Sequence, residues 1–130
     1  MKKFLLISLL VFAFGCKKDA ASNISLTGTW EYRGTACYCT PATDTTAIKP
    51  GNGNLITFTA STYKRYNKGT LQKSGTYTIT KDQANNRIIY DGGADSEKVF
   101  FKIDQKKLTF YGPVPLAADG PEEYYERIKN

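Results

Sequence analysis

The sequence predicts an all-β fold: an antiparallel up-and-down meander of about eight strands closed into a barrel. Short runs alternate apolar and polar residues with period two, so each run buries one face and wets the other. Clusters of Gly, Asn, Asp and Pro recur between these runs, and no stretch carries a convincing helical period. Sequential strands joined mostly by short turns favour closure, because closing a sheet removes edge strands that would otherwise pair with other chains. A two-sheet β-sandwich is compatible with the same spacing and remains the alternative.

The N-terminal residues read as a lipoprotein signal. Lys2 and Lys3 give a basic start, Phe4 to Phe14 an apolar stretch, and Ala13-Phe14-Gly15-Cys16 sets small residues ahead of a cysteine as a processing site requires. The apolar run of about 11 residues is short of the roughly 20 that a spanning helix needs. An ordinary secretory peptide cut elsewhere is the competing reading. The expected organisation is residues 1–15 as signal peptide, 16–24 as lipidated N-terminus and tether, and 25–130 as one barrel domain. Acylated Cys16 would hold that domain on a membrane nearly permanently. Lys17 follows the cysteine where aspartate would resemble an inner-membrane retention signal, so the outer membrane is expected, with its face left open.

Removing Lys2 and Lys3 from 18 basic residues leaves 16 against 12 acidic ones, a mature charge of +4. The lysines and arginines read as scattered along the chain, so no stripe suggests nucleic acid, and a monomer with a solvated exterior is expected.

Taken in order, the first strand is Gly28 to Thr35, with Gly28, Trp30, Tyr32 and Gly34 on one face and Thr29, Glu31, Arg33 and Thr35 on the other. Trp30 therefore points inward. Further runs lie at 54–60 (NLITFTA), 62–67 (TYKRYN), 75–80 (GTYTIT), 87–91 (RIIYD), 98–103 (KVFFKI), 107–111 (KLTFY) and 123–128 (EYYERI). The same parity turns Ile56, Phe58, Tyr63, Tyr77, Ile79, Ile88, Tyr90, Val99, Phe101, Ile103, Leu108 and Phe110 toward the core. The longest connection, 40–54 (TPATDTTAIKPGNGN), joins the first two strands at what would be a barrel mouth.

Leu26-Thr27-Gly28-Thr29-Trp30-Glu31, then Ile56-Thr57-Phe58 with Tyr63, Gly75-Thr76-Tyr77-Thr78-Ile79 and a closing Tyr124-Tyr125-Glu126-Arg127-Ile128 together resemble the bacterial lipocalin-like lipoproteins. The Cys16-Lys17-Lys18-Asp19 start is similar to that of Bacteroidetes lipoproteins. The resemblance spans Leu26 to Ile128 and implies a lipocalin-like barrel. It also implies that Gly28 and Trp30 form the closed floor, with Arg127 lying across the indole. A guanidinium over an indole contributes about 0.5 to 2 kcal/mol, and the indole N–H still needs an acceptor. The chain departs from full lipocalins in being shorter and in lacking a C-terminal helix and the second and third lipocalin motifs. By the same resemblance the long connection acts as a flap, with Tyr38, Ile48 and the cysteines as lid residues; a Gly/Pro-punctuated surface loop is the plainer reading.

Candidate ligand-lining residues are Tyr32, Phe58, Tyr63, Arg65, Tyr77, Tyr90, Phe101 and Phe110. Inward tyrosines offer apolar faces with a hydroxyl at the tip and suit an amphiphile, whereas in a small barrel they equally serve as core. Arg65 shares the parity of Tyr63, so it either anchors an anion inside or sits at a wet rim. Cys37 and Cys39 leave three outcomes open: a local disulfide that needs a bend in the strand, two free thiols, or an intermolecular or metal-bound state.

Enzymatic chemistry finds little footing. The chain has no histidine, and Cys-x-Cys lacks the helix start that activates redox cysteines. Carboxylates at Asp91, Asp95 and Glu97, and at Asp119, Glu122 and Glu123, lack calcium-loop spacing and read as turn charges. No catalytic residue, metal or cofactor is expected. The expected function is a lipid-anchored envelope protein that binds or carries a small apolar or amphiphilic ligand. The alternative is an envelope interaction or inhibitor module with a filled barrel that binds another protein.

Overall fold

The computed structural model describes residues 25–37, 43–44, 48–93, 99–112 and 120–130. The signal segment, Cys16, the tether through residue 24, Tyr38 and Cys39 lie outside them.

The described residues form nine strands and no helix. They are β1 (Gly28–Cys37), β2 (Thr43–Asp44), β3 (Leu55–Phe58), β4 (Thr62–Asn67), β5 (Thr70–Asp82), β6 (Asn85–Tyr90), β7 (Val99–Asp104), β8 (Lys107–Tyr111) and β9 (Glu122–Lys129). From β3 to β9 each strand pairs with its successor, β1 pairs with β3, and β1 also pairs with β9. The sheet thus closes on itself as an eight-stranded antiparallel meander barrel, and the two-sheet sandwich is excluded. β2 is a two-residue addition that pairs Ala36 with Asp44 and Cys37 with Thr43, on the part of β1 that extends past β3.

Turn chemistry explains the hairpins. Asn67 pairs with Thr70 across Lys68 and Gly69, both at positive φ, as a two-residue hairpin loop that follows the strand twist requires. Gln83 and Gln105 take the same left-handed conformation at the β5–β6 and β7–β8 turns. β5 runs five residues earlier than the alternation indicates, because Thr70 to Ser74 are exposed and carry no apolar rhythm. Pairing with β4, and not burial, holds them extended.

The core gathers Leu26, Trp30, Ile56, Phe58, Tyr63, Tyr77, Ile88, Phe101, Leu108, Phe110 and Tyr125, with Tyr32, Tyr90, Val99 and Ile103 packed against it. Two apolar positions depart from the parity reading. Ile79 is 45% exposed, since β4 pairs with β5 only as far as Thr76 and leaves the hairpin beyond it without that neighbour. Phe100, on the opposite parity to Phe101, is nonetheless 2% exposed and stacks on Tyr111 with ring centroids 5.8 Å apart.

β1 and β9 pair from Thr29 to Ala36, and at one end side chains reinforce that closure. Trp30 pairs with Ile56 on β3 and with Arg127 on β9. The Arg127 guanidinium carbon lies 4.3 Å from the indole centroid, and the Trp30 Nε1–H donates to the Leu26 carbonyl at 2.7 Å. Arg127 Nη2 in turn donates to the Ser25 carbonyl at 2.5 Å. The segment before β1 is therefore tied to both side chains. Gly28 completes the clasp: a Cβ there would meet the Lys129 carbonyl oxygen at 2.6 Å, and its φ of 131° strains any L side chain.

Trp30→Ala is expected to cost about 3 to 5 kcal/mol in denaturant unfolding, as for other large buried aromatics. Arg127→Ala should cost less. A double-mutant cycle should return a coupling of about 0.5 to 2 kcal/mol, and additive effects would show that the stacked cation contributes nothing to closure.

Candidate functional site

Toward the end of the barrel opposite this clasp, two recesses meet. One, about 310 Å3, is bordered by Tyr32, Asn54, Leu55, Ile56, Arg65, Tyr66, Asn67, Glu123 and Tyr125. The other, about 290 Å3, is bordered by Arg65, Val99, Phe110, Tyr111, Gly112, Pro121 and Glu123. Arg65 and Glu123 belong to both.

Strand parity puts Arg65 there. Tyr63, two residues earlier on the same face, is 1% exposed and anchors the strand in the core, so Arg65 follows it inward. Its Nη2 donates to the Tyr90 hydroxyl at 3.2 Å, with the guanidinium carbon 5.2 Å from that ring centroid. Burial works against the guanidinium charge, but Tyr90 and Glu123 outweigh it and hold the pKa above its ordinary value. Arg65 is a fixed cation. Burial likewise pushes the Tyr90 phenol up, with Arg65 opposing. The Tyr125 hydroxyl donates to the Glu123 carboxylate at 3.0 Å, and burial together with that carboxylate raises its pKa far above the usual phenol range. The recesses thus present a fixed cation at Arg65, a carboxylate at Glu123 that accepts from a phenol, and at Tyr125 a phenol whose ionisation is opposed.

Of the eight candidate lining residues, Tyr32, Arg65 and Phe110 border these recesses. Phe58, Tyr63, Tyr77, Tyr90 and Phe101 border neither. Phe58 packs edge-on against Tyr77, Tyr63 edge-on against Tyr90, and Phe101 is buried in the core. The sequence reading omits Tyr125 and Glu123. A signal for them exists: once Arg127 points inward, period two turns Tyr125 and Glu123 inward with it. Asn54, Leu55, Tyr66 and Asn67 enter as strand ends and carry no such signal.

Two polar latches hold the walls. Glu31, 4% exposed on the outer face of β1, accepts hydrogen bonds from Arg33 at 2.6 Å and from the Gly51 N–H at 2.9 Å. Arg33 also donates to Glu126 on β9 at 2.9 Å. Asn52 donates to the Tyr32 carbonyl, and its side-chain oxygen receives the Asn54 N–H, so the turn leading into β3 is fastened to β1. In the second latch, the Tyr63 hydroxyl donates to Asp91 at 2.8 Å, and the Thr76 N–H donates to the other Asp91 oxygen at 3.0 Å. Gly75 leaves room for that carboxylate, since a Cβ there would sit 1.8 Å from it. Asp91 is therefore a structural acceptor rather than a free turn charge; Asp95, Glu97 and Asp119 lie outside the described residues.

The long connection is partly tied down. Its Thr43 and Asp44 pair with β1, and the Ile48 N–H donates to the Arg33 carbonyl at 3.2 Å. Cys37 is disulfide-bonded, and the cysteine it joins lies outside the described residues. No group of three or more His, Cys, Asp or Glu able to hold a metal occurs among the described residues. Comparison of the chain with protein families, with curated proteins and with solved structures found no match.

Burial works to raise the Glu31 pKa, but the hydrogen bonds from Arg33 and from the Gly51 N–H prevail and hold it below its ordinary value. A depressed carboxylate stabilises the fold above its unfolded pKa, and that stability is lost as pH falls through the folded value. Glu31→Gln should cost about 1 to 3 kcal/mol at neutral pH. It should also flatten the loss of stability below about pH 4.5 measured by urea titration. An unchanged acid limb would show that Glu31 is not the latch.

Proposed function

We propose that this chain is a lipid-anchored protein of the bacterial envelope, of lipocalin-like type, that binds or carries a small apolar or amphiphilic ligand at the open end of its barrel. The observation that carries the reading is the pair of recesses meeting at Arg65 and Glu123, each near the lower end of ordinary ligand pockets in size. They combine aromatic walls from Tyr32, Tyr125 and Phe110 with a few convergent polar groups, as small-molecule sites do. The role is read as non-catalytic: a fixed cation beside a carboxylate already bonded to a phenol serves to bind and orient a ligand.

Anchoring rests on the basic start, the apolar run and Cys16, and the absence of aspartate after the cysteine supports the outer membrane. A second reading draws on the tightly packed core and on the exposed Leu71, Ile79 and Ile128: an envelope interaction or inhibitor module that binds another protein through its outer surface.

Two measurements check this reading. In a bacterial host, Cys16→Ser should release the protein from the membrane fraction, and retention of processed serine variant there would contradict acylation. Native mass spectrometry of that released chain should show a co-purified small molecule, and added amphiphiles should raise its melting temperature as their concentration passes Kd. A panel of fatty acids, isoprenoids and aromatic lipids without a single stabilising member would favour the interaction module.

A further inference from the structure

We infer that the two recesses form one site for a single-chain anionic amphiphile, its head group on Arg65 and its chain along Val99 and Phe110. This deepens the ligand-binding reading above and rests on it. Among the described residues Arg65 makes one hydrogen bond, from Nη2 to Tyr90, while its guanidinium carries five donors in a planar fork. Such a fork matches a carboxylate or phosphate with two parallel hydrogen bonds. The neighbouring anion, Glu123, already accepts from the Tyr125 hydroxyl.

The surrounding field points the same way. Residues 45–81 contain six basic side chains and no acidic one, which along the chain looks like scattered charge. The sheet order sets β3, β4 and β5 side by side; the one carboxylate on these strands, Asp82, is the last residue of β5, and Arg65 shares the wall with exposed Lys64, Lys68 and Lys73, the last of which pairs with Asp91 at 3.3 Å. A wall with an excess of positive charge beside a low-dielectric cleft concentrates anions at its mouth. The two recesses also differ in kind. One mixes Asn54 and Asn67 with Leu55 and Ile56, whereas the other, apart from the shared Arg65 and Glu123, is walled mainly by Val99, Phe110, Tyr111 and Pro121, so the second is the one suited to an apolar chain.

Calorimetry on the chain from residue 16 onward carrying Cys16→Ser, below the micelle threshold of each probe, tests this with decanoate, decyl phosphate, decanol and decyltrimethylammonium. Decanoate or decyl phosphate should bind more tightly than decanol, and the cation weakest; whichever anion binds better identifies the head group. Arg65→Met should weaken the anion by about tenfold or more while leaving decanol unchanged. Glu123→Gln, which keeps an acceptor for Tyr125 and removes the competing charge, should tighten the anion. Equal binding of decanol and the two anions would overturn the anionic head and leave the carrier reading standing, whereas no binding of any probe would overturn both. Should Arg65→Met fail to fold, Glu123→Gln decides alone: unchanged or weaker anion binding overturns the inference.

Discussion

The stacked pair of Trp30 and Arg127 is the constraint from which the rest of this barrel follows. A meander of eight short strands has two free edges until its first and last strands meet, and free edges in so small a domain invite association with other chains. Here β1 and β9 pair along their backbones from Thr29 to Ala36, and the Trp30–Arg127 contact adds a side-chain link that is specific in geometry. The indole and guanidinium each reach back to a carbonyl before β1, at Leu26 and Ser25, so the clasp also covers the floor. Only a residue without a side chain fits where Gly28 passes the end of β9. Closing one end so tightly leaves the other to be shaped by strand ends and turns, and that is where Arg65 and Glu123 face each other across the recesses.

Polar interactions take a different part at each level of the wall. At the floor, the arginine gains from an aromatic face and the Ser25 carbonyl, while the indole donates to the Leu26 carbonyl. On the outer surface of β1, Glu31 is buried among donors that include a backbone N–H, so the carboxylate works as a fastener for the turn into β3. Near the mouth, Arg65 lies close to Glu123, yet each also has a phenol as partner, Tyr90 for the cation and Tyr125 for the anion. Pairing with neutral phenols leaves the charges less mutually satisfied than a direct fork-to-carboxylate pair would. Under the proposed function, a ligand would supply a better partner to one of them.

Much of the fold was legible in the residues because its signals are local. Period-two alternation around Trp30, Phe58, Tyr63, Tyr77 and Phe110 marks strands and their inward faces, and Lys68-Gly69 marks a tight hairpin. The start of β5 was not legible, since Thr70 to Ser74 are held by cross-strand pairing and have no buried face. Ile79 shows the converse: its apolar side chain fits the alternation, but the neighbouring strand ends before reaching it. The site was harder than the core. Inward tyrosines are chemically alike, and only three-dimensional placement separates Tyr32, which borders a recess, from Tyr63 and Tyr77, which are packed beneath it. The predominantly basic wall of β3 to β5 was hidden for a related reason, because linear spacing does not say which lysines share a surface.

Under the proposed function the barrel is locked at Trp30 and receptive at Arg65, and the two ends report separately through side-chain N–H groups. A titration of the chain carrying Cys16→Ser with decanoate, followed by heteronuclear NMR of the Arg65 Nε–H and the Trp30 Nε1–H, measures both at once. Saturable movement of the Arg65 signal with a stationary Trp30 indole is the predicted result. Movement of the indole with an unaffected Arg65, or movement of neither, would contradict it.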